Sequence, residues 1–248
     1  MDLITSVSYL VDYVQKHCEA GLYLYRGQKS DKRLLPKIGR DPFHSERFLE
    51  REQSLLTDFK IRSNPYLDSS IRDDWDWLAI AQHNGMATRL LDWTDNPLAA
   101  LWFAVREKPE DKEDGILWVF QPPQEDIVAD QRKMNPFQGE RTKIFRPKHL
   151  IRTIAAQGGW FTVHKYLESE KRFIPFEKIA IYKKHRLSLR VSRQKFEVLR
   201  SELNRIGVNE ASMFPDLRGL CAYLNLIHVP QLSVSRFPRI SSGDPASD

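Results

Sequence analysis

The amino-acid sequence predicts an α+β fold: one domain with a mixed β-sheet core and helices gathered towards its N- and C-terminal ends. Apolar residues recur at helical spacing near both ends, as in Leu3, Val7, Leu10, Val11 and Val14 and again in Phe196, Leu199, Leu203 and Ile206. Between them lie short runs with strand character, alternating or continuously apolar. No internal repeat and no linker rich in Pro, Gly and Ser divides the 248 residues, so residues 1–240 read as a single domain. The small, polar stretch 241–248 reads as a disordered tail.

Taken in order, the first helix starts at Leu3 and is closed by Gly21. Leu22 and Leu24 then alternate with Tyr23 and Tyr25 in a buried strand, with Arg26 on the leucine side and Gly27 as its stop. A basic loop, 29–40, follows. Asp41-Pro42 reads as the N-cap and first position of a helix through Phe48, Leu55, Leu56 and Phe59, broken by Asn64-Pro65. Asp73 and Asp74 open a helix through Trp77, Ile80 and Ala81, with Gly85 as its C-terminal cap. A strand over 87–93 leads to Asn96-Pro97, a second cap-and-proline start, and a helix carrying Leu98, Leu101, Trp102 and Val105. The charged run 107–114 reads as a solvated loop and 116–120 as a strand central in the sheet. With Pro122, Pro123, Pro136 and Pro147, residues 121–148 read as a long surface loop of the kind that often carries function. Strands are expected at 150–156, 160–164 and 179–182. Ser192 caps a helix through Phe196 to Ile206 that ends at Gly207, and Asn209 and Pro215 introduce a last helix through Leu217, Leu220, Cys221 and Leu224.

Composition excludes several classes. No apolar run approaches the roughly 20 residues of a membrane span, and the acidic, helical start Met-Asp-Leu-Ile argues against a secretory leader. Two cysteines, Cys18 and Cys221, are too few for a disulfide framework or a cysteine zinc site, which fits a reducing cytoplasm. His17-Cys18 reads as a surface histidine beside a buried cysteine on an amphipathic helix. No glycine-rich dinucleotide loop, phosphate loop, His-Glu-x-x-His or Cys-x-x-Cys occurs, and no metal site is expected. A net charge of +5 admits a polyanionic partner.

Polar residues stand in core-like patterns at three places. In Tyr25-Arg26-Gly27-Gln28, an arginine on the inward side of a strand needs an anion, because its guanidinium does not deprotonate. Two readings stay open: a buried pair with Asp92 or another carboxylate, or a bidentate clamp on a phosphate, with Gly27 letting the ligand approach. In Gln82-His83-Asn84-Gly85 and Thr88-Arg89-Leu90-Leu91-Asp92-Trp93-Thr94, polar groups crowd a strand between two apolar helices. An Arg89–Asp92 pair, a turn at Thr94 and a satisfied His83 form the bland account; Asp92 and Asp95 around a divalent metal form another. In the segment 152–164, Gly158-Gly159 reads as a hairpin turn, or Gln157 faces a cleft walled by Trp160 and Phe161.

Together these segments resemble the FRG domain, a bacterial and phage-associated family named for its Phe/Tyr-Arg-Gly motif. Pro97 to Ala104 and Met213-Phe214-Pro215-Asp216-Leu217 with Gly219-Leu220 add to the likeness, which spans roughly residues 20 to 225. The motif order is similar to that of ADP-ribosyltransferases and implies a sheet core of that type. It further implies an Arg26 that holds NAD through its phosphates, Thr88 on a second strand that shapes the nicotinamide pocket, and Gln157 near a third position where those enzymes carry a glutamate. Tyr25, Gly27, Gln28, His83, Arg89, Trp93 and Phe161 are then the expected NAD-binding neighbours. The segment 133–148 resembles a substrate-recognition loop. Breaking the nicotinamide–ribose bond passes through an oxocarbenium-like state that a carboxylate stabilises best. Gln157 carries no charge, so Asp92, Glu140 or Glu168 is the candidate carboxylate, with Arg26, Gln157 and Asp92 as the catalytic set.

The resemblance implies an NAD-dependent transferase acting as a toxin or anti-phage effector with a neutralising antitoxin protein as partner. RNA or DNA is the acceptor favoured by Lys29, Lys32, Arg33, Lys37 and Arg40. The alternatives are a non-catalytic module binding a nucleotide or a partner, and a metal-dependent nuclease built on Asp92 and Asp95.

Overall fold

A computed structural model describes residues 2–40, 47–67, 71, 73–108, 113–148 and 151–229. In chain order the elements are β1 (Leu3–Ile4), α1 (Val7–His17), β2 (Leu24–Gln28), α2 (Phe48–Ser63), α3 (Asp74–His83), β3 (Leu90–Thr94), α4 (Pro97–Val105), β4 (Gly115–Phe120), β5 (Lys143–Phe145), α5 (Arg152–Ala156), β6 (Gly159–Val163), β7 (Tyr166–Leu167), β8 (Arg172–Phe173), β9 (Arg186–Val191), α6 (Phe196–Arg205), α7 (Glu210–Met213) and α8 (Leu217–His228). The fold is α+β. Seven strands form one sheet in the order β1-β9-β4-β2-β3-β6-β5, antiparallel except for β1 against β9, and β7 and β8 form a small separate hairpin.

The sheet has a weak seam. Strand β2 pairs with β4 along its whole length, and so does β3 with β6, yet β2 and β3 share one backbone pair, Tyr25 with Thr94. Helices cover one face. Around β2, β4 and β9 the helices α1, α4 and α6 bury Leu10, Leu101, Leu117, Val119, Leu189 and Leu199, and around β3, β5 and β6 helix α3 brings Trp75 and Leu78 onto Leu90, Phe145 and Phe161. On the other face Phe176 and Tyr182 pack against Trp93 and Phe120. Burying a side chain of this size contributes about 1.5–3 kcal/mol.

Several local expectations change. Leu3 and Ile4 form an edge strand beside β9, because the chain must reach the sheet before Ser6 caps α1. Gly27 does not stop β2 but lies inside it. A Cβ there would sit 1.8 Å from Ala100 O and 2.8 Å from Ala104 N, so the missing side chain lets α4 rest on the strand. Strand β3 starts at Leu90, three residues later than expected. The proline-rich stretch 121–148 contains β5 and the buried polar residues Asp126, Gln131 and Thr142. Arg152–Ala156 is a helical turn rather than a strand; Gly158 at φ +58° ends it, so the Gly-Gly pair joins helix to strand instead of turning a hairpin. Ala180–Tyr182 is a 3-10 turn that lays Tyr182 on the sheet face, apolar because it covers strands and not because it is one. A 3-10 turn, Arg193–Lys195, precedes α6. The final helix is two, with α7 opened by an Asn209 capping box and α8 by Asp216. The Asp41 cap, Leu150, part of the charged run 107–114 and the tail 241–248 lie outside the described residues.

Candidate functional site

Where β2 and β3 part, the backbone of β3 lacks its ladder partner, and Arg26 fills the place. Its Nη1 donates to Asp92 O at 2.5 Å and stands 3.5 Å from Asp92 Oδ2. The Arg26 side chain is 18% exposed and that of Asp92 55%, so the pair sits at a mouth, neither in the core nor on open surface. Arg26 Nε is buried and has no hydrogen-bond partner. Burial lowers the Arg26 pKa and the Asp92 carboxylate opposes that, leaving a charged group with an unfilled donor edge.

A short relay positions Asp92. Leu90 N donates to Thr88 Oγ1, and the Thr88 hydroxyl gives its one proton to Gln82 Oε1 at 2.6 Å. With its carbonyl oxygen so engaged, Gln82 presents Nε2 to Asp92, at 3.2 Å from Oδ2 and 3.4 Å from Oδ1. Thr88 is buried and stands just before β3, not on it. His83, on the last turn of α3, is kept below the ordinary histidine pKa by burial, against the pull of Asp92 and Asp216. Beside the mouth, Gln28 accepts from Trp118 Nε1 at 3.0 Å and donates to Lys32 O at 3.2 Å, tying the basic loop to β2. Lys32, Arg33, Lys37 and Arg40 of that loop are exposed, and Lys29 pairs with Glu107.

The other expected site residues lie elsewhere. Arg89 does not pair with Asp92: its guanidinium forms a buried ion pair with Glu52 and donates from Nη1 to Pro136 O at 3.2 Å. Gln157 stands at the closed end of the seam, its carbonyl accepting from Thr94 Oγ1 and its Nε2 donating to Met213 O at 3.0 Å. Trp93 is a core residue bonded through Nε1 to Thr162 Oγ1, and Phe161 stacks on Phe145. Tyr25 is buried under the helices, its phenol pKa raised by burial and then by Cys18. Asp92 and Asp95 do not converge: Asp95 accepts from Trp160 Nε1 at 3.2 Å and faces Arg146. Among the described residues no group of three His, Cys, Asp or Glu side chains is placed to hold a metal ion. Nor is any described helix long and apolar enough to cross a membrane. Glu140 is exposed, and Glu168 lines a separate cleft below the 134–139 loop.

Thus the structure joins Arg26, Asp92 and Thr88 through Gln82, with His83 adjacent, and separates them from Gln157 and Arg89. Gln82, which heads the second polar segment of the sequence but is not among the expected site residues, is the link. Its signal is an amide that follows the apolar run Trp77–Ala81 on the last turn of α3.

Residues 21–113 match the family model of the FRG domain. The match takes in β2, α3, β3 and α4, and hence all the residues of the Arg26 cluster; the segments 154–164 and 213–220 fall outside it. No curated protein and no solved structure matches the chain.

Proposed function

We propose, with the FRG match of residues 21–113 as premise, that this protein is an NAD-dependent ADP-ribosyltransferase whose site is the mouth between β2 and β3. The observation that carries the reading is Arg26: a charged guanidinium at an opening in the sheet, bonded on one side and with a buried Nε that lacks an acceptor. Leaving such a donor unmet costs about 1–3 kcal/mol, and a phosphate oxygen is the acceptor that matches a guanidinium edge. The three motif strands β2, β3 and β6 are also neighbours in the sheet, which supports the likeness in motif order to ADP-ribosyltransferases.

NAD fits this chemistry because its pyrophosphate offers the missing acceptor, and it supplies a nicotinamide–ribose bond whose breaking develops positive charge on the ribose. Arg26 holds the phosphate. Asp92 is the carboxylate nearest that arginine and the one with free lone pairs at the mouth, so it faces the developing charge. Gln82 and Thr88 keep its oxygens from swinging away. His83 borders the pocket, its pKa lowered by burial against the pull of Asp92 and Asp216. The exposed lysines and arginines of 32–40 suit an acceptor with a phosphate backbone, RNA before DNA in this reading. The toxin or anti-phage role and the neutralising partner rest on the family resemblance.

The test is nicotinamide release from labelled NAD, with RNA, DNA and protein as acceptors. Release is expected to fall about 100-fold or more in Arg26→Ala and in Asp92→Asn, the scale of losing one charge-stabilising group. One observation favours a second reading, a binding module without turnover: Gln157, at the position where the resemblance implies a glutamate, has its amide bonded to Met213 O. NAD binding that needs Arg26, with no release from the wild type, would establish that reading instead.

A further inference from the structure

The Arg89–Glu52 pair is costly to build, since both side chains are almost fully buried, 3% and 2% exposed, and each charge gives up its hydration. It does nothing for the Arg26 mouth. What it does is hold a loop: Arg89 Nη1 donates to Pro136 O and lies within reach of Phe137 O, and the guanidinium stacks on the Phe137 ring at 4.9 Å. The loop so anchored roofs a cleft of about 280 Å³, just below the usual range for small-ligand sites.

The walls of that cleft have a defined chemistry. Arg141 and Lys143 enter it from one side and share the buried carboxylate of Asp126, and the exposed Glu125 stands 3.8 Å from Arg141 on the outer side. Lys165 adds a third cation, against which the exposed Glu168 stands at the rim. On the roof, Gln138 carries an amide that both donates and accepts, Asn135 keeps its NH2 donor while its Oδ1 accepts from Phe137 N at 2.8 Å, and Phe137 and Met134 supply apolar surface beside them. Three cationic side chains at one end, amide donors on the roof and an apolar wall match a phosphate joined to a base.

We propose that this cleft binds a nucleoside 5′-monophosphate group, with the phosphate towards Arg141, Lys143 and Lys165 and the base under the 134–139 loop. The site is separate from the Arg26 mouth and does not depend on the reading given to it. The group can come from a free nucleotide or from the 5′-phosphorylated end of an RNA chain.

Calorimetric titration of the full chain with AMP, adenosine, inorganic phosphate and a 5′-phosphorylated tri-ribonucleotide tests it. AMP should bind more tightly than adenosine or phosphate, and about tenfold more weakly to Lys165→Glu, the loss of one charged contact. An Arg141→Gln, Lys165→Glu double variant, shown folded by its melting curve, should bind more weakly still, and by the same factor when both changes are made in an Arg26→Ala background. Equal binding of the trinucleotide identifies a chain end as the occupant, and binding of AMP alone identifies a free nucleotide. Absence of saturable binding, phosphate binding as well as AMP, or AMP affinity unchanged in the double variant would overturn the proposal. If Arg26→Ala alone removes AMP binding, the nucleotide sits at the β2–β3 mouth and only this second site is lost.

Discussion

Arg26 and Arg89 are both arginines within strongly apolar surroundings, and their hydrogen bonds divide their roles. Arg89 has both edges of its fork engaged, on Glu52 and on loop carbonyls, so its removal strands a buried carboxylate. Arg89→Met is therefore expected to destabilise the protein by about 3–5 kcal/mol in urea unfolding, and adding Glu52→Leu should recover most of that loss. Arg26 makes one backbone bond and a 3.5 Å ion pair with an exposed partner. Arg26→Ala is expected to leave the urea midpoint nearly unchanged while removing NAD binding, and an equal loss of stability in the two arginine variants would contradict the distinction. Sequence alone left Arg26 balanced between a carboxylate and a phosphate. The structure makes it a partial pair with Asp92, because the one-residue contact between β2 and β3 brings the two side chains together without enclosing them.

At the scale of elements, the legible features were those set by neighbouring residues. Asp73 and Asn96 were read as helix starts and both accept backbone N–H bonds as N-caps. Asn96→Ala should cost about 1 kcal/mol, measured by thermal or urea unfolding. Strand β9 shows the opposite case: Leu187, Leu189 and Val191 alternate with Arg186, Ser188 and Arg190, a period of two, whereas the neighbouring apolar run 179–182 is the one that forms no strand. The run 150–156 misled because an apolar, β-branched stretch of that length packs equally well as a helical turn beneath a sheet, and only the left-handed Gly158 marks its end. Beside Arg26, Gly27 reads in the sequence as a place for a ligand to approach; in the fold its own face belongs to α4. Gly27→Ala drives a methyl into the Ala100 carbonyl, so a loss of several kcal/mol in unfolding free energy is expected. Normal stability of that variant would mean that α4 does not lie on β2 as described.

For the molecule as a whole, the most informative titration is that of His164. It is 1% exposed, bonded to Thr162 Oγ1, and burial, aided by the charges of Arg26 and Arg89, lowers its pKa to about 3 despite a backbone hydrogen bond that works the other way. The folded value lies below the ordinary 6.5, so the folded state resists protonation that the unfolded chain accepts. Its contribution is full above about pH 6.5 and is lost as pH falls from there towards 3, amounting to a few kcal/mol at most. Urea midpoints between pH 7 and 4 should fall more steeply for the wild type than for His164→Gln; parallel curves would show that His164 titrates normally.

Periodicity, caps and proline breaks act over three to seven residues, and they were enough to reveal the α+β class, most helices, the four central strands β4, β2, β3 and β6 and the FRG-like motifs. Side-chain partners separated by tens of residues are not written in such patterns. Pairing Arg26 with Asp92 across 66 residues, Arg89 with Glu52 across 37, and Gln157 with Met213 across 56 depends on strand order and on the single-pair seam between β2 and β3. Those are products of how the whole sheet closes over its helices, where the burial of many apolar side chains outweighs the preference of any one local segment. The same closure separated residues that the motifs had grouped together, leaving Arg26 and Asp92 at an opening and sending Arg89 and Gln157 to hold the frame around it.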